Sequence, residues 1–237
     1  MDGRAVVVTG GTGILGEATV RAYLEAGAHV AVSARDAARG AALATAVATL
    51  AGEGDAARLL VLEADPGDRG AMDRAVETVL TRWGRLDALA NLAGGYGKAD
   101  PWDLDAIEAS WAQNVRTVIT ATAACLRPMR ARAYGRIVSV GSFGANRGGK
   151  DSAGYAMSKT AVVRWTESLA AALKDEGITA NVVQPSIIDH PENRKAMPKA
   201  DPTKWVRPDE LAAIIVFLTS RAASGITGAA IPVVGRV

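Results

Sequence analysis

The chain has 237 residues, of which 49% are hydrophobic and 22% are charged. This length can form one α/β domain with a large core, and the composition excludes disordered and fibrous proteins. Lys and Arg exceed Asp and Glu by only 27 − 25 = 2, which argues against a nucleic-acid or membrane-surface partner. One cysteine, Cys125, and two histidines predict a cytoplasmic protein without a disulfide or a metal site.

Short β-branched runs alternate with longer helix-periodic segments along the chain, which is typical of βαβ units. The pattern predicts a single α/β domain, 1–237, with a seven-stranded, mostly parallel, doubly wound sheet and helices on both faces. The predicted strands are 4–9, 29–33, 59–63, 88–92, 135–140, 179–184 and 229–233. The predicted helices are 14–26, 37–51, 69–83, 105–132, 153–176 and 208–220.

Two further segments bear on the organisation of the chain. The apolar run Ala5 to Val8 is short and leads directly into glycines, and the Ala-rich stretch 41–51 is far below the roughly 20 residues of a membrane helix. We therefore expect neither a signal peptide nor a membrane span. Segment 186–207 contains three prolines and mixed charges, which predict a loop with a short helix. A connection this long is either functional, here as a lid over the substrate, or disordered.

A glycine cluster, Thr9-Gly10-Gly11-Thr12-Gly13-Ile14-Leu15-Gly16, lies between the first predicted strand and helix. A dinucleotide pyrophosphate can bind the backbone amides of such a turn and the positive end of the helix dipole. A tight turn that only packs the helix would show the same glycines. The position so early in a βαβ series favours cofactor binding, with these contact residues: Gly10, Thr12, Gly13, Ile14 and Leu15.

The second predicted strand ends in Ser33-Ala34-Arg35, where the adenosine ribose would lie. Without a carboxylate to accept from the ribose 2′-OH, and with Arg35 beside it, the sequence favours NADP(H) over NAD(H). Arg35 could instead be a solvated residue at a helix start. Asp65 follows the third strand as a candidate for adenine contact or for a helix cap. The small residues after the fourth strand are candidates for backbone contact with the cofactor: Asn91, Ala93 and Gly94.

Tyr155 and Lys159 are four residues apart in a predicted helix, so their polar ends can meet one ligand. A nearby ammonium favours the phenolate and predicts a lowered pKa for Tyr155, as a general acid or base requires. Ser142 can donate to a carbonyl oxygen beside Tyr155, and Asn114 can hold a water or a backbone group. Each residue alone also has a structural explanation.

Together these residues resemble the short-chain dehydrogenase/reductase family over essentially the whole chain. The shared elements are the glycine turn, Asp65, the Asn91 to Gly94 element, the four candidate catalytic residues, Pro185 and the closing Ile226-Thr227-Gly228. The resemblance implies an NAD(P)-binding Rossmann fold and a homodimer or homotetramer acting on a small molecule. It implies that Tyr155 transfers the proton, Lys159 lowers its pKa and binds the nicotinamide ribose, Ser142 orients the substrate oxygen and Asn114 supports a water relay. It also adds Pro185 and Ile188 as cofactor contacts.

The chain departs from the family pattern at four places. Its glycines read TGxxGxxG instead of TGxxxGxG, Leu92 replaces an Asn, Ser186 replaces a Gly, and His190 stands where a Thr often holds the nicotinamide carboxamide. Residues 190–205 and 93–96 are similar to dihydropteridine reductases. This similarity implies a quinonoid pterin or another conjugated C=N compound as an alternative substrate to a ketone or aldehyde.

Two other functions compete with this interpretation. Segment 144–151, GANRGGKD, comes within one residue of a GxxxxGK[ST] phosphate loop, but Asp151 lacks the hydroxyl that would bind Mg²⁺. The segment also does not join the first strand to its helix. A non-catalytic dinucleotide sensor is the second alternative, because a fold does not fix a function. A sensor would need the cofactor cradle without the proton-transfer groups.

Overall fold

Seven strands form the sheet in this computed structural model, whose side chains are described for residues 1–49 and 57–237. The strands are β1 Ala5–Thr9, β2 His29–Ala34, β3 Leu59–Glu63, β4 Ala88–Asn91, β5 Gly135–Val140, β6 Ile178–Pro185 and β7 Ala230–Val233. Their order is β3-β2-β1-β4-β5-β6-β7, and every neighbouring pair is parallel. The prediction of one α/β domain with a parallel sheet is confirmed.

Eight α-helices connect and cover the strands. They are α1 Ile14–Glu25, α2 Ala37–Ala56, α3 Arg69–Trp83, α4 Leu104–Trp111, α5 Thr117–Ala131, α6 Ala153–Leu173, α7 Pro191–Ala196 and α8 Pro208–Leu218. The predicted end of the second helix, Ala51, lies outside the residues with described side chains. Over the described residues, none of these helices combines the length and the apolar character that crossing a membrane requires.

Alternate residues of each strand face opposite sides of the sheet, and each side carries its own core. On one side, Ala5 and Val7 of β1 pack with apolar residues of α3, α5 and α6. On the other side, Val6 and Val8 pack with apolar residues of α1, α2 and α8. Because both faces are covered, the strands are almost continuously apolar, which is why short runs such as AVVV predict parallel strands.

The predicted continuous helix 105–132 is wrong in its middle. A π-helical turn, Ala112–Arg116, separates α4 from α5. Asn114 in this turn is fully buried, and its amide group bonds to Gly95 and Ser158 rather than to its own helix. These contacts with two distant segments accompany the wider turn, and π-turns of this kind are frequent at functional sites.

The direction in which the strands follow one another reverses between β1 and β4. From β1 the chain continues to β2 and β3 at one edge of the sheet, whereas from β4 it continues to β5, β6 and β7 at the other edge. In open parallel sheets, ligands bind beyond the carboxyl ends of the strands at such a switch point. The loops after β1, β4, β5 and β6 meet at this edge. The fold therefore brings the glycine turn and the candidate catalytic residues to one place.

Candidate active site

A cleft of about 860 Å³ opens at the carboxyl edge of the sheet. It is large enough for a dinucleotide and a small substrate by the usual range of ligand sites, roughly 300–1,000 Å³. Most of the predicted site residues line it: Gly10, Thr12, Gly13, Ile14, Leu15, Arg35, Ala93, Gly94, Ser142, Tyr155, Lys159, Pro185 and Ile188. Asp65, Asn91 and Asn114 are not among the lining residues.

The glycine turn is packed against the loop that follows β4. Gly10 has φ +69°, and a Cβ at this position would lie 2.7 Å from the backbone nitrogen of Ala93. The Thr9 hydroxyl accepts hydrogen bonds from the backbone N–H groups of Leu92 and Ala93, both at 3.2 Å. A Cβ at Gly16 would overlap the Gly10 carbonyl. Glycine is therefore required at position 10 by positive φ and by backbone contact, and at position 16 by backbone contact alone.

The N-terminus of α1 faces this cleft and has no side-chain cap, because its N-cap residue is Gly13. The first N–H groups of a helix lack intrahelical partners and carry the positive end of the dipole. Thr12, Ile14 and Leu15 line the cleft beside them. The chain thus offers uncapped donors and an open backbone surface, which fit a cofactor pyrophosphate.

The residues at and after the end of β2 form one wall of the cleft, with the hydroxyl group of Ser33 and the guanidinium groups of Arg35 and Arg39. Ser33 is buried, and its Oγ has no hydrogen-bond partner in the protein. Arg35 is exposed, and Arg39 donates from Nη2 to the carbonyl of Thr12 at 2.8 Å. Both arginines line the cleft, and the nearest acid, Asp36, accepts from the N–H groups of Ala38 and Arg39.

Asp65 and Asn91 have structural partners. Asp65 is exposed, and its carboxylate accepts from the backbone N–H of Gly67 at 2.8 Å within a tight turn. Asn91 is buried and donates to Thr122 Oγ1 at 3.1 Å and to Ser139 Oγ at 3.4 Å. Asn91 thereby ties β4 to α5 and β5. Its predicted cofactor contact remains a prediction, and the structure gives its side chain a role in joining elements.

Ser142 and Tyr155 place two hydroxyl groups side by side in the cleft. Ser142 follows β5, where the backbone is fixed by hydrogen bonds from Gly141 N to Val183 O and from Phe143 N to Pro185 O. Burial raises the pKa of the Tyr155 phenol above 10, and a hydrogen bond with Ser142 opposes this rise. Tyr155 is therefore protonated at neutral pH and can act as a proton donor.

Lys159 lies one helical turn from Tyr155, as predicted, and is buried. Its Nζ donates to the carbonyl of Val140 at 2.9 Å, and burial lowers its pKa to about 8. Burial thus raises the pKa of Tyr155 and lowers that of Lys159, and the expectation that Lys159 lowers the pKa of Tyr155 stays a prediction. A Cβ on Gly94 would lie 3.1 Å from Nζ, so Gly94 keeps the ammonium open to the cleft.

Asn114 supports the wall behind these groups. Its Oδ1 accepts from the N–H of Gly95 at 3.0 Å, and its Nδ2 donates to the Gly95 carbonyl at 3.1 Å and to Ser158 Oγ at 3.2 Å. These bonds use both amide N–H groups and one of the two acceptor positions of Oδ1, and the predicted water relay stays a prediction. The contacts themselves fix the loop after β4 against α6.

Segment 186–207 forms one side of the cleft through α7. Asn193 donates from Nδ2 to the Ile188 carbonyl at 2.8 Å, and Arg194 makes two 2.6 Å bonds to Asp189. His190, the replacement for the usual Thr, accepts from the N–H of Glu192 through Nδ1 and caps α7. Its imidazole is thus used to shape this segment.

Among the residues that line the cleft but were not predicted as site residues are Arg39, Lys98 and Asn193. A cation in the first turn of a helix opposes the helix dipole, so Arg39 at the start of α2 was a usable signal. Lys98 lies in an irregular segment, and Asn193 lies in the six-residue helix α7, which is too short for a periodic pattern to mark the direction of its side chains. Tyr96 also lines the cleft, and its ring meets the Tyr155 ring edge-on at 5.0 Å between centroids.

The family model described as short chain dehydrogenase matches residues 4–201. The chain belongs to the short-chain dehydrogenase/reductase family. It is 33% identical to cis-4-hydroxycyclohexanecarboxylate dehydrogenase of Sinomonas cyclohexanicum, over 98% of this chain and 95% of that protein. It is 31% identical to the 3-oxoacyl-[acyl-carrier-protein] reductase MabA of Mycobacterium bovis, over 98% of this chain and 92% of that protein.

Solved structures agree with this assignment. A short-chain dehydrogenase/reductase from Serratia marcescens superposes with a TM-score of 0.86 at 34% identity, covering 99% of this chain and 98% of that one. This short-chain dehydrogenase/reductase is therefore an oxidoreductase that uses an NAD(P) cofactor. The comparisons do not show the similarity to dihydropteridine reductases.

Proposed function

We propose that the enzyme uses NADP(H) to interconvert a ketone or aldehyde and its alcohol, with Tyr155 as the general acid for reduction. The observation that supports this proposal is that one cleft contains two different sets of polar side chains, one at each end. Ser142, Tyr155 and Lys159 line one end, while Arg35 and Arg39 line the other. This arrangement supports a cofactor that extends from a ribose phosphate at the arginines to a nicotinamide at the hydroxyl pair.

The cofactor would supply or accept the hydride at the substrate carbon. The chain would do the remaining work, since Ser142 can donate to the substrate oxygen and Tyr155 can release its proton to that oxygen as the new C–H bond forms. Lys159 carries the charge that would hold a ribose hydroxyl beside Gly94. Positioning of this kind can contribute roughly 7–11 kcal/mol to lowering a barrier.

The preference for NADP(H) rests on the arginine pair. Exposed cations without a carboxylate aimed at the ribose would favour a 2′-phosphate. Asp36 is the one acidic residue lining the cleft among those that the structure describes, and its carboxylate already caps the start of α2. We propose Ser33 as an additional donor there, because its buried Oγ has no protein partner.

The decisive experiment measures NADPH and NADH oxidation with a panel of ketones, quinones and a quinonoid dihydropterin. We expect the wild type to reduce ketones with NADPH. The double variant Arg35→Ala with Arg39→Ala should lower the ratio of kcat/KM with NADPH to kcat/KM with NADH at least tenfold. Arg132→Ala, an exposed arginine outside the cleft, is the control. Turnover of the pterin alone would favour the dihydropteridine reductase hypothesis, and cofactor binding without any turnover would favour a sensor.

The substrate of the relative from Sinomonas cyclohexanicum suggests one specific test. That protein is named for a hydroxycyclohexanecarboxylate, so 4-oxocyclohexanecarboxylate belongs in the panel. Tyr96 offers the exposed apolar surface of an aromatic ring at the substrate end, and a cyclic ketone could pack on it. Activity on this compound would place the enzyme among alicyclic alcohol dehydrogenases.

We further propose a homodimer or homotetramer in the cytoplasm. Trp111, Ile119 and Phe217 are large apolar side chains exposed on α4, α5 and α8 of the isolated chain, and a second copy could cover them. Light scattering on the purified protein tests the assembly. The free thiol of Cys125, fully buried in the core, suits a reducing compartment, and cell fractionation tests the location.

A further inference from the structure

The substrate end of the cleft contains a charge that hydride transfer does not require. Lys98 lines the cleft together with Tyr96 and Lys159. Lys159 donates to a backbone carbonyl and is buried, whereas the Lys98 side chain is 72% exposed. Among the residues that the structure describes, no carboxylate lines this end of the cleft, because Asp36 belongs to the wall formed after β2.

The chain on both sides of Lys98 is attached to α6 or to the two residues that precede it. Tyr96 packs edge-on against Tyr155, and Ala99 forms a bridge with Ser152, the N-cap residue of α6. The Ala99 N–H also donates to the carbonyl of Asp151 at 3.0 Å. Lys98 lies between these two attachments, and two residues of extended chain span at most about 7 Å. Its position beside the substrate site is therefore defined by the fold.

The ion pair that Lys98 forms with Asp151 is weak. Its Nζ lies 3.6 Å from Asp151 Oδ2, and the Asp151 side chain is 47% exposed. Exposed ion pairs at such distances contribute little to stability, because water solvates both charges. An anionic ligand in the cleft could therefore take over the ammonium at small cost, while the backbone contact of Asp151 with Ala99 stays in place.

We propose that Lys98 selects substrates in which the reacting carbonyl is accompanied by a separate anionic group, such as a carboxylate. The inference rests on the proposed carbonyl reduction and adds the substrate class. The anion must be some bonds away from the carbonyl, because the chain at Lys98 is fixed through Ala99 to Asp151 and Ser152 rather than to Ser142.

The test compares a rigid keto acid, 4-acetylbenzoate, with its uncharged methyl ester. We measure the ratio of kcat/KM for the acid to that for the ester in the wild type and in four variants. Lys98→Met should lower this ratio by about five- to tenfold, mainly through KM, as expected for loss of a charge-assisted contact in a partly exposed site. Lys98→Arg should retain most of the ratio.

Two further variants make the prediction specific to this pair. Asp151→Asn removes the competing carboxylate and should raise the ratio about two- to threefold. Lys150→Met, the matched control, removes a neighbouring exposed lysine that does not line the cleft and should leave the ratio unchanged. Added salt should reduce the preference of the wild type for the acid.

The outcomes separate this inference from the proposed function. An unchanged ratio in Lys98→Met, or an equal fall in Lys150→Met, overturns the role of Lys98 while carbonyl reduction stands. If the enzyme reduces other uncharged ketones but neither 4-acetylbenzoate nor its methyl ester, the role of Lys98 is also overturned while carbonyl reduction stands. No turnover with any carbonyl compound overturns both proposals.

Discussion

The two ends of the cleft are built in different ways. The cofactor end is made mostly of backbone, where Gly10 and Gly16 meet other backbone atoms so closely that a Cβ would collide. The substrate end is made of side chains from three separate segments, including Tyr96, Lys98 and Asn193. Its fixed points are side-chain hydrogen bonds and one aromatic contact.

This difference separates what the fold requires from what the substrate requires. A backbone cradle accepts the same phosphate groups in any member of a family, so its constraints are steric and local. A side-chain wall can be changed residue by residue without moving the strands, so it can adapt to different substrates. We therefore expect changes at the substrate end to alter activity, and changes at the cofactor end to alter both cofactor affinity and stability.

The largest effect should come from Tyr155→Phe. This change removes the donated proton but keeps the ring that packs against Tyr96, so kcat for carbonyl reduction should fall by about 10²–10⁴-fold. Cofactor affinity, measured by NADPH fluorescence titration, should change little. A comparable loss of NADPH affinity would contradict the separation of the two ends and would make Tyr155 a structural residue.

Lys159 joins the two ends, and its burial predicts a pH-dependent stability. Its native pKa of about 8 lies below the ordinary 10.5, so the unfolded chain binds more protons between these pH values. The contribution of Lys159 to stability should therefore rise with pH in this window, by about 2 kcal/mol between pH 7.5 and 9.5. The raised pKa of the buried Cys125 thiol lowers stability over the same window, equally with and without Lys159. Urea unfolding of the wild type and of Lys159→Met at both pH values isolates this contribution as the difference between the two proteins.

The comparison of the wild type with Lys159→Met can also contradict this prediction. If the stability of Lys159→Met rises with pH as much as that of the wild type, Lys159 is not a buried ammonium at neutral pH. The window stays below pH 10 because the raised pKa of Tyr155 acts in the opposite direction at higher pH, when the unfolded tyrosine loses its proton first.

The sequence predicts the features of the cleft that depend on local spacing better than those that depend on contacts between distant segments. The turn around Gly10 is recognisable because its spacing is local, and the helical spacing of Tyr155 and Lys159 is correct for the same reason. The direction of the pKa shift at Tyr155 depends on burial by distant segments, which spacing does not reveal. The π-turn at Asn114 likewise accompanies contacts with Gly95 and Ser158, 19 and 44 residues away.

The steric character of the cofactor end can be tested with two glycines of equal φ. Gly10 and Gly84 both have φ +69°, but nothing lies within 4 Å of a Cβ at Gly84, whereas a Cβ at Gly10 meets Ala93. Gly84→Ala should cost about 1 kcal/mol of unfolding free energy from backbone strain. Gly10→Ala should cost about 1–3 kcal/mol more and should weaken NADPH binding. Equal costs would mean that strain alone requires glycine at position 10.

The smallest effect should come from the segment over the substrate. Asn193→Ala removes the 2.8 Å bond to the Ile188 carbonyl that fixes α7 at the cleft, and loss of one such hydrogen bond is worth about 1 kcal/mol. Because α7 is six residues long and its own residues are not buried, this loss should raise KM about two- to fivefold with little change in the melting temperature. Lys195→Ala, on the same helix but outside the cleft lining, is the matched control. A fall in melting temperature with unchanged KM would show that α7 supports the fold rather than the substrate. The side chains that contact the substrate would then include Lys98 but not those of α7.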